Sequence, residues 1–368
     1  MGRTLEPLTL LEDVQEYQRA GCNTFDYRPT TSSDGPVRSD WLKMYQNTIK
    51  GFQDQAAKDH RHDRPEQAAD RFATEYAALL ESFADSGPSD VELTTVSLCR
   101  LREEGLRRQG FGDVYKQVKF QENVKALGLL SEVLRELDAI SDLQPRLDAA
   151  LRGVFAGNVF DLGAPATTAA FASGEMTFAK TRKGLLPRPW TRDDIDHIIH
   201  RWQEQPHSKA LIFVDNAGSD IILGILPLAR ELIKLGTSVV LAANDVASIN
   251  DITVQELQPL LQQAAQLDTT IGAAISLGRL VAIPSGNDLP VIDLSRVSPE
   301  VNAAAEGTDL VIMEGMGRGI ETNLNARFIC DSLNLGMVKH PEVAAALGAR
   351  MYDIVCQYRR PAGGNVSA

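Results

Sequence analysis

Carboxylates, amides and cations gather at one kind of place in this sequence, immediately after short β-rich runs. ALIFV (210–214) is followed by Asp215-Asn216-Ala217-Gly218-Ser219-Asp220. SVVLAA (238–243) is followed by Asn244-Asp245 and then by Asn250-Asp251. RLVAI (279–283) leads to Ser285-Gly286-Asn287-Asp288, DLVIM (309–313) to Glu314-Gly315-Met316-Gly317-Arg318, and NLGMV (334–338) to Lys339-His340. Oxygen donors without cysteine or histidine beside them suit a hard divalent cation such as Mg²⁺ or Mn²⁺. Asp215, Asn216 and Asp251 are the candidate ligands. Gly315 and Gly317 would let backbone N–H groups come close to an anion. Arg318 could grip a phosphate through two nitrogens, and Lys339 could supply a point charge. A cation and two positive side chains around one phosphate make a site for phosphoryl transfer. Strand ends are polar in any case, and Asp215-Asn216 alone reads equally well as a structural cap. The convergence of so many carboxylates with an Arg and a Lys is what favours chemistry.

Strands alternating with helices must position these residues. Residues 219–235 carry apolar positions at helical spacing and stop at Leu235-Gly236. Thr253 and Glu256 form a capping box for a second helix, and Ser298-Pro299-Glu300 opens a third. The alternation predicts an α/β fold, a mostly parallel sheet with helices on both faces. In such sheets ligands bind at the carboxyl ends of the strands. The first 150 residues have another texture. Leu98, Leu101, Leu106, Val114, Val118, Val124, Leu127 and Leu130 recur at spacings near three and four, and EQAADRFATEYAALLESF (66–83) is amphipathic. Gly87-Pro88 and Gly110-Phe111-Gly112 mark breaks. The expectation is a mostly helical domain over 1–150, with at most a short strand near its start, and an α/β domain over 151–368.

Composition narrows the partners. The 368 residues are 43% hydrophobic and 23% charged, the balance of an ordinary globular chain of about two domains. Thirty-seven basic against 49 acidic residues leave a net charge of −12, which disfavours nucleic acid and anionic membrane as partners. Cys22, Cys99, Cys330 and Cys356 form no CxxC pair and fit a reducing compartment. The opening MGRTLEPLTLLEDVQ lacks the apolar core of a signal peptide, and Glu6 stands where a myristoylation signal needs Ser or Thr. The longest apolar stretch, Ile221–Ala229, is far short of the roughly 18 residues of a membrane span. A cytoplasmic location is expected.

Other motifs fail on inspection. GMGRGI (315–320) has Ile320 where a dinucleotide loop needs its third glycine. GEMTFAKT (174–181) has Ala179 where a P-loop needs glycine, no G-x-S-x-G occurs, and His197 and His200 read as surface or packing residues.

Several stretches together resemble a known family. They are GFGDVYKQVKFQEN (110–123), GVFAGNVFDLGA (153–164), VDNAGSDIILGILPLARELI (214–233), ANDVASINDIT (243–253), SGNDLPVIDLSRVS (285–298), DLVIMEGMGRGIETN (309–323) and GMVKHPEVA (336–344). They are similar to the metal-dependent damage-control phosphatases built on domain of unknown function 89, in the stand-alone plant-type branch. A related domain is fused to some pantothenate kinases. The resemblance runs from about residue 26 to 358.

It implies a three-layer α/β/α sandwich with a helical N-terminal part. It implies a divalent metal, among Mg²⁺, Mn²⁺, Co²⁺ and Ni²⁺, held by Asp215, Asn216 and Asp251. Asn158 and Asp161 would lie at the same pocket, and Arg318 and Lys339 near the phosphate. With Glu314, Gly315 and Gly317 these make the expected substrate-binding set, and Asp215, Asp251, Arg318 and Lys339 the expected catalytic set. The implied activity is hydrolysis of phosphate monoesters of small metabolites, including 4′-phosphopantetheine and its oxidised or damaged forms. A metal-activated water or a carboxylate could attack phosphorus, with Asp245 and Glu314 as spare acids to orient water. Three alternatives stand beside this: a sugar-phosphate phosphatase, a group transferase using the same cleft, and a non-catalytic metabolite-binding protein. A methyl transferase would need an adenosine-binding loop after the first strand, and Asp215-Asn216-Ala217-Gly218 lacks the glycine cluster. The intact acid set argues against a retired site. The oligomeric state is left open.

Overall fold

The computed structural model describes residues 4–25, 38–86, 93–159 and 177–361. Seven strands are present: β1 (Arg192–Asp193), β2 (Lys209–Phe213), β3 (Ser238–Ala243), β4 (Leu280–Pro284), β5 (Leu310–Glu314), β6 (Asp331–Met337) and β7 (Ile354–Arg359). They form one sheet in the order β1-β7-β6-β5-β2-β3-β4. Every neighbouring pair is parallel except β6 and β7. The five runs expected to be strands are β2 to β6, within three residues at each end. β1 and β7 carried no sequence signal. β1 is only two residues long, and the β7 segment IVCQYR interrupts its apolar residues with Gln357 and Arg359.

The chain leaves β2 for β3 and β4 on one side and returns to β5 on the other. That reversal opens a crevice between the carboxyl ends of β2 and β5, where open α/β sheets bind ligands. The register holds it in place: Phe213 pairs with Met313, and Phe213 with Ala242 on the other side.

Both faces of the sheet are covered. Ala210 and Ile212 of β2 face a core shared with Leu130, Val133 and Leu137 of the helix Lys116–Asp138 and with Leu147, Leu151 and Val154 of the helix Leu143–Val159. Leu211 and Phe213, with the opposite pleat, pack against Leu8, Leu11, Ile292, Leu294 and Val301. The alternation of one strand between two cores is what makes three layers. A third core joins Trp41, Phe72, Leu80 and Leu98 of the N-terminal helices to Val291, Ile320 and Val338. The boundary expected at residue 150 falls inside the helix Leu143–Val159, which packs on the sheet.

The local signals are realised as read. Thr253 caps the helix Val254–Leu267 with both halves of the capping box made, and the Ser298 side chain accepts from the Val301 N–H. The 219–235 pattern becomes a π-helical turn, Asp220–Ile225, running into the helix Leu226–Lys234.

Candidate active site

Asp215 lies two residues beyond β2, buried at the crevice. Its N–H donates to Glu314 Oε2 at the end of β5 (2.8 Å). Asp251 reaches the same place by a different route. The loop after β3 makes an isolated bridge between Asn216 and Asp251, and the Ile252 N–H donates to the Asp215 carbonyl (2.9 Å). Between the two acids stands Arg318, only 1% exposed. It projects from the π-helical turn Gly317–Thr322 that follows β5. One Nη donates to Asp215 Oδ1 and to the Pro290 carbonyl. The other donates to Asp251 Oδ2 (2.7 Å) and Asn244 Oδ1 (3.0 Å). The expected phosphate-gripping arginine therefore has both Nη groups on internal partners, and it clamps the two acids rather than lining the cleft.

A further carboxylate, Asp220, joins them from the start of its own π-helical turn. Its Oδ2 accepts from Asn158 Nδ2 (2.9 Å) and from Asn216 Nδ2 (2.8 Å), which also donates to Asp215 Oδ2 (2.8 Å). Oxygens of Asp215, Asp220 and Glu314 lie within 4.8 Å of one another. Asp220 Oδ1, Asp251 Oδ1, Glu314 Oε1 and Asn158 Oδ1 are all buried without a hydrogen bond. Buried acceptors are rarely left unpaired, and four in one site are what a hard cation would satisfy. The donor set thus fits a divalent metal.

Burial dominates the charges here. It pushes the Asp215 carboxyl up to about 6 and Asp251 to about 7, with the Arg318 guanidinium pulling each back part of the way. Asp220 and Glu314 are raised as well, again by burial first. The sign for stability follows. An unfolded Asp titrates near 4, so between about pH 4 and 7 the folded state binds the extra protons and stability falls as pH rises. Melts in chelator from pH 4.5 to 7.5 should show the wild type losing stability relative to Asp251→Asn, which has no proton to give up there. A pH-independent difference would contradict this.

The cleft above the acids holds about 310 Å³. Asn158, Asp215, Asn216, Asp220, Gly317 and Lys339 form one side of it. Lys339 Nζ donates to the Asn158 carbonyl (2.6 Å), which holds the ammonium in the cleft lining. A larger hollow of about 600 Å³, beside Glu12, Arg327 and Arg359, contains none of these acids.

Gly315 and Gly317 are required by close approach. Gly315 has φ +97°, and a Cβ there would run into the Asp215 carboxyl. A Cβ at Gly317 would meet the Pro290 carbonyl oxygen. Gly315→Ala is expected to cost about 2 kcal/mol from the strained φ and the displaced carboxyl, read as a lower urea midpoint.

Asp161 lies outside the described residues. Asp245 accepts from the Gly286 N–H (2.8 Å), which ties it to the loop after β4. The sequence reading assigned no role to Asp220, although it stands five residues after Asp215 in a run already singled out. It read the helix Lys116–Asp138 from its apolar spacing but assigned its polar residues no role. There Lys119, fully buried, donates to the Asp251 carbonyl (3.3 Å) and to Glu256 Oε2 (2.9 Å). Asn123 Oδ1, one turn on, accepts from the Gly218 N–H (2.7 Å). The only signal was the four-residue spacing of Lys119 and Asn123 inside KQVKFQEN.

Residues 44–355 match the model of the damage-control phosphatase ARMT1-like domain. The chain is 46% identical over 328 residues to damage-control phosphatase At2g17340 of Arabidopsis thaliana, covering 88% of each. It is 31% identical to mouse 4′-phosphopantetheine phosphatase over 98% of this chain and 49% of that one. It is 35% identical to Arabidopsis pantothenate kinase 2 over 97% of this chain and 42% of that protein. The chain therefore spans less than half the length of these two relatives. The crystal structure of a DUF89 family protein from Pyrococcus horikoshii superposes with a TM-score of 0.61 at 18% identity, covering 86% of this chain and 96% of that one. That likeness shows the fold. Among the described residues no helix is long and apolar enough to cross a membrane.

Proposed function

The chain belongs to the ARMT1-like damage-control phosphatase family, and on that premise we propose that it hydrolyses phosphate monoesters of small metabolites with a divalent cation. The observation that carries the reading is the set of buried, unpaired oxygens on Asp220, Asp251, Glu314 and Asn158 around Asp215. Asp215, Asn216 and Asp251 would hold the cation, with Asp220 and Glu314 completing the oxygen wall. Bound there, a divalent cation supplies Lewis acidity and neutralises phosphate charge. Arg318 fixes Asp215 and Asp251 in one geometry, so little reorganisation remains when substrate arrives. Lys339, in the cleft lining, meets the phosphate oxygens and offsets charge that grows as the ester bond breaks. The similarity to a protein named 4′-phosphopantetheine phosphatase makes that ester and its oxidised forms the first substrates to offer.

The test is phosphate release. Protein stripped with chelator receives Mg²⁺, Mn²⁺, Co²⁺ or Ni²⁺ singly, with 4-nitrophenyl phosphate, 4′-phosphopantetheine and a hexose phosphate as substrates. Release that requires a metal is the expected result. No release with any metal, from protein shown to be folded, would overturn the reading.

A further inference from the structure

Part of the cleft lining comes from the helical half of the chain. The helix Arg38–Ala56 contributes Met44, Tyr45 and Thr48, and the helix Thr95–Arg108 contributes Cys99 and Arg102. Arg102 is 5% exposed and rigidly held. Its Nε and one Nη both go to Glu103 Oε1 (3.1 and 2.9 Å), and the guanidinium lies 4.6 Å from the Phe52 ring centroid. The other Nη has no hydrogen bond among the described residues. Glu321, 7% exposed, also lines the cleft, and its carboxyl has no hydrogen-bond partner among the described residues. Glu321, Arg102 and Asp215 line the same cleft. Neither the Glu321 oxygens nor the spare Arg102 nitrogen is among the sealed, unpaired atoms of the protein, so both groups are open to the cleft and available to a ligand that brings a donor and an acceptor.

We propose that Glu321 and Arg102 form the subsite that reads the organic part of the ester, and that this part is an uncharged chain carrying an N–H or O–H donor beside a carbonyl or hydroxyl oxygen. The inference rests on the phosphatase reading, because the phosphate must sit at the Asp215 and Lys339 end. Glu321 then accepts from the donor, and the spare Arg102 nitrogen donates to the oxygen. A charged chain is disfavoured. An anion would face Glu321 and Glu103, and a cation would face Arg102. An aryl or alkyl chain leaves both groups unpaired, and sites built to bond a substrate NH or OH discriminate strongly against analogues lacking it. Amide chains and polyols share the required chemistry.

The test compares selectivity in Glu321→Met and Glu321→Gln with the wild type. For each, kcat/KM on 4′-phosphopantetheine (amide chain) and on a hexose phosphate (hydroxyls) is divided by kcat/KM on 4-nitrophenyl phosphate. Affinities of the same esters are also titrated on chelator-stripped protein, where turnover does not intervene. A tenfold or greater fall of the ratio in Glu321→Met, with a smaller fall in Glu321→Gln, is expected. A fall confined to the amide or to the sugar ester identifies which chemistry is read. Ratios within threefold of wild type in both turnover and binding overturn the subsite. A wild type that releases no phosphate, yet shows the tenfold loss of binding ratio in Glu321→Met, overturns the phosphatase reading and keeps the subsite. Melting curves verify that each variant is folded.

Discussion

Asp215→Asn is expected to lower metal-dependent phosphate release by about 10³-fold, the order of loss seen when a group that stabilises developing charge is removed. The position has that weight because it belongs to every arrangement the site offers. It is part of the ligand set read from the sequence, with Asn216 and Asp251. It is also part of the close carboxylate group, with Asp220 and Glu314. Its two oxygens serve Arg318 and Asn216, and its backbone ties β2 to β5 through Glu314. Asn keeps the shape and removes the negative charge that a divalent cation needs. Metal affinity, measured by calorimetric titration, should fall along with turnover. Asp251→Asn and Asp220→Asn, measured beside it, rank the two partner sets by which loses more affinity. Near-normal metal-dependent turnover in Asp215→Asn would remove the acid cluster from the chemistry.

Arg318→Met is expected to be the most destabilising single change at the site, at about 3–5 kcal/mol in the absence of metal. The guanidinium is the buried counter-charge for Asp215 and Asp251, and removal leaves both acids desolvated without it. Arg318→Lys should recover only a small part. One ammonium cannot span Asp215, Asp251, Asn244 and the Pro290 carbonyl with the fixed fork of a guanidinium. Urea denaturation in chelator measures the loss. Saturating Mn²⁺ should restore part of it, since a cation can neutralise the same acids. A loss below about 1 kcal/mol would mean that the acids are protonated and need no counter-charge.

These two residues also mark where the sequence was sufficient and where it was not. The five central strands, the Thr253 capping box, the Ser298 cap and the helical character of the first half were legible because each is local. Period, cap and turn chemistry are written within a few residues. The chemical character of the site was legible for the same reason, because ligand type and strand-end position both belong to short segments. Asp215, Asn216, Asp251, Lys339 and the two glycines were picked on that basis. Asp215, Asn216, Gly317 and Lys339 line one cleft, while Asp251 is tied to Asp215 through Arg318. Gly315 packs on the Asp215 carboxyl, with its N–H given to the Leu335 carbonyl rather than left for an anion.

What only the tertiary structure decided is who faces whom. Glu314 touches Asp215 across 99 residues because β5 returns to the flank of β2 in one register. No periodicity encodes that choice. Arg318 points inward because its fork finds two carboxylates and two further oxygen acceptors there, whereas its sequence neighbours suggested an anion at the rim. Lys119, Asn123 and Arg102 lie in the helical half, where the apolar spacing of their segments predicted helices and assigned these side chains no role. They come to the cleft because the helices of this half bury apolar surface against the sheet and the segments beside it, and they carry these side chains with them. Residue type and spacing determine which chemistry a chain can perform. Burial and strand pairing determine which of those groups are left unpaired for a ligand to complete, because desolvation and register are properties of contacts far apart in sequence.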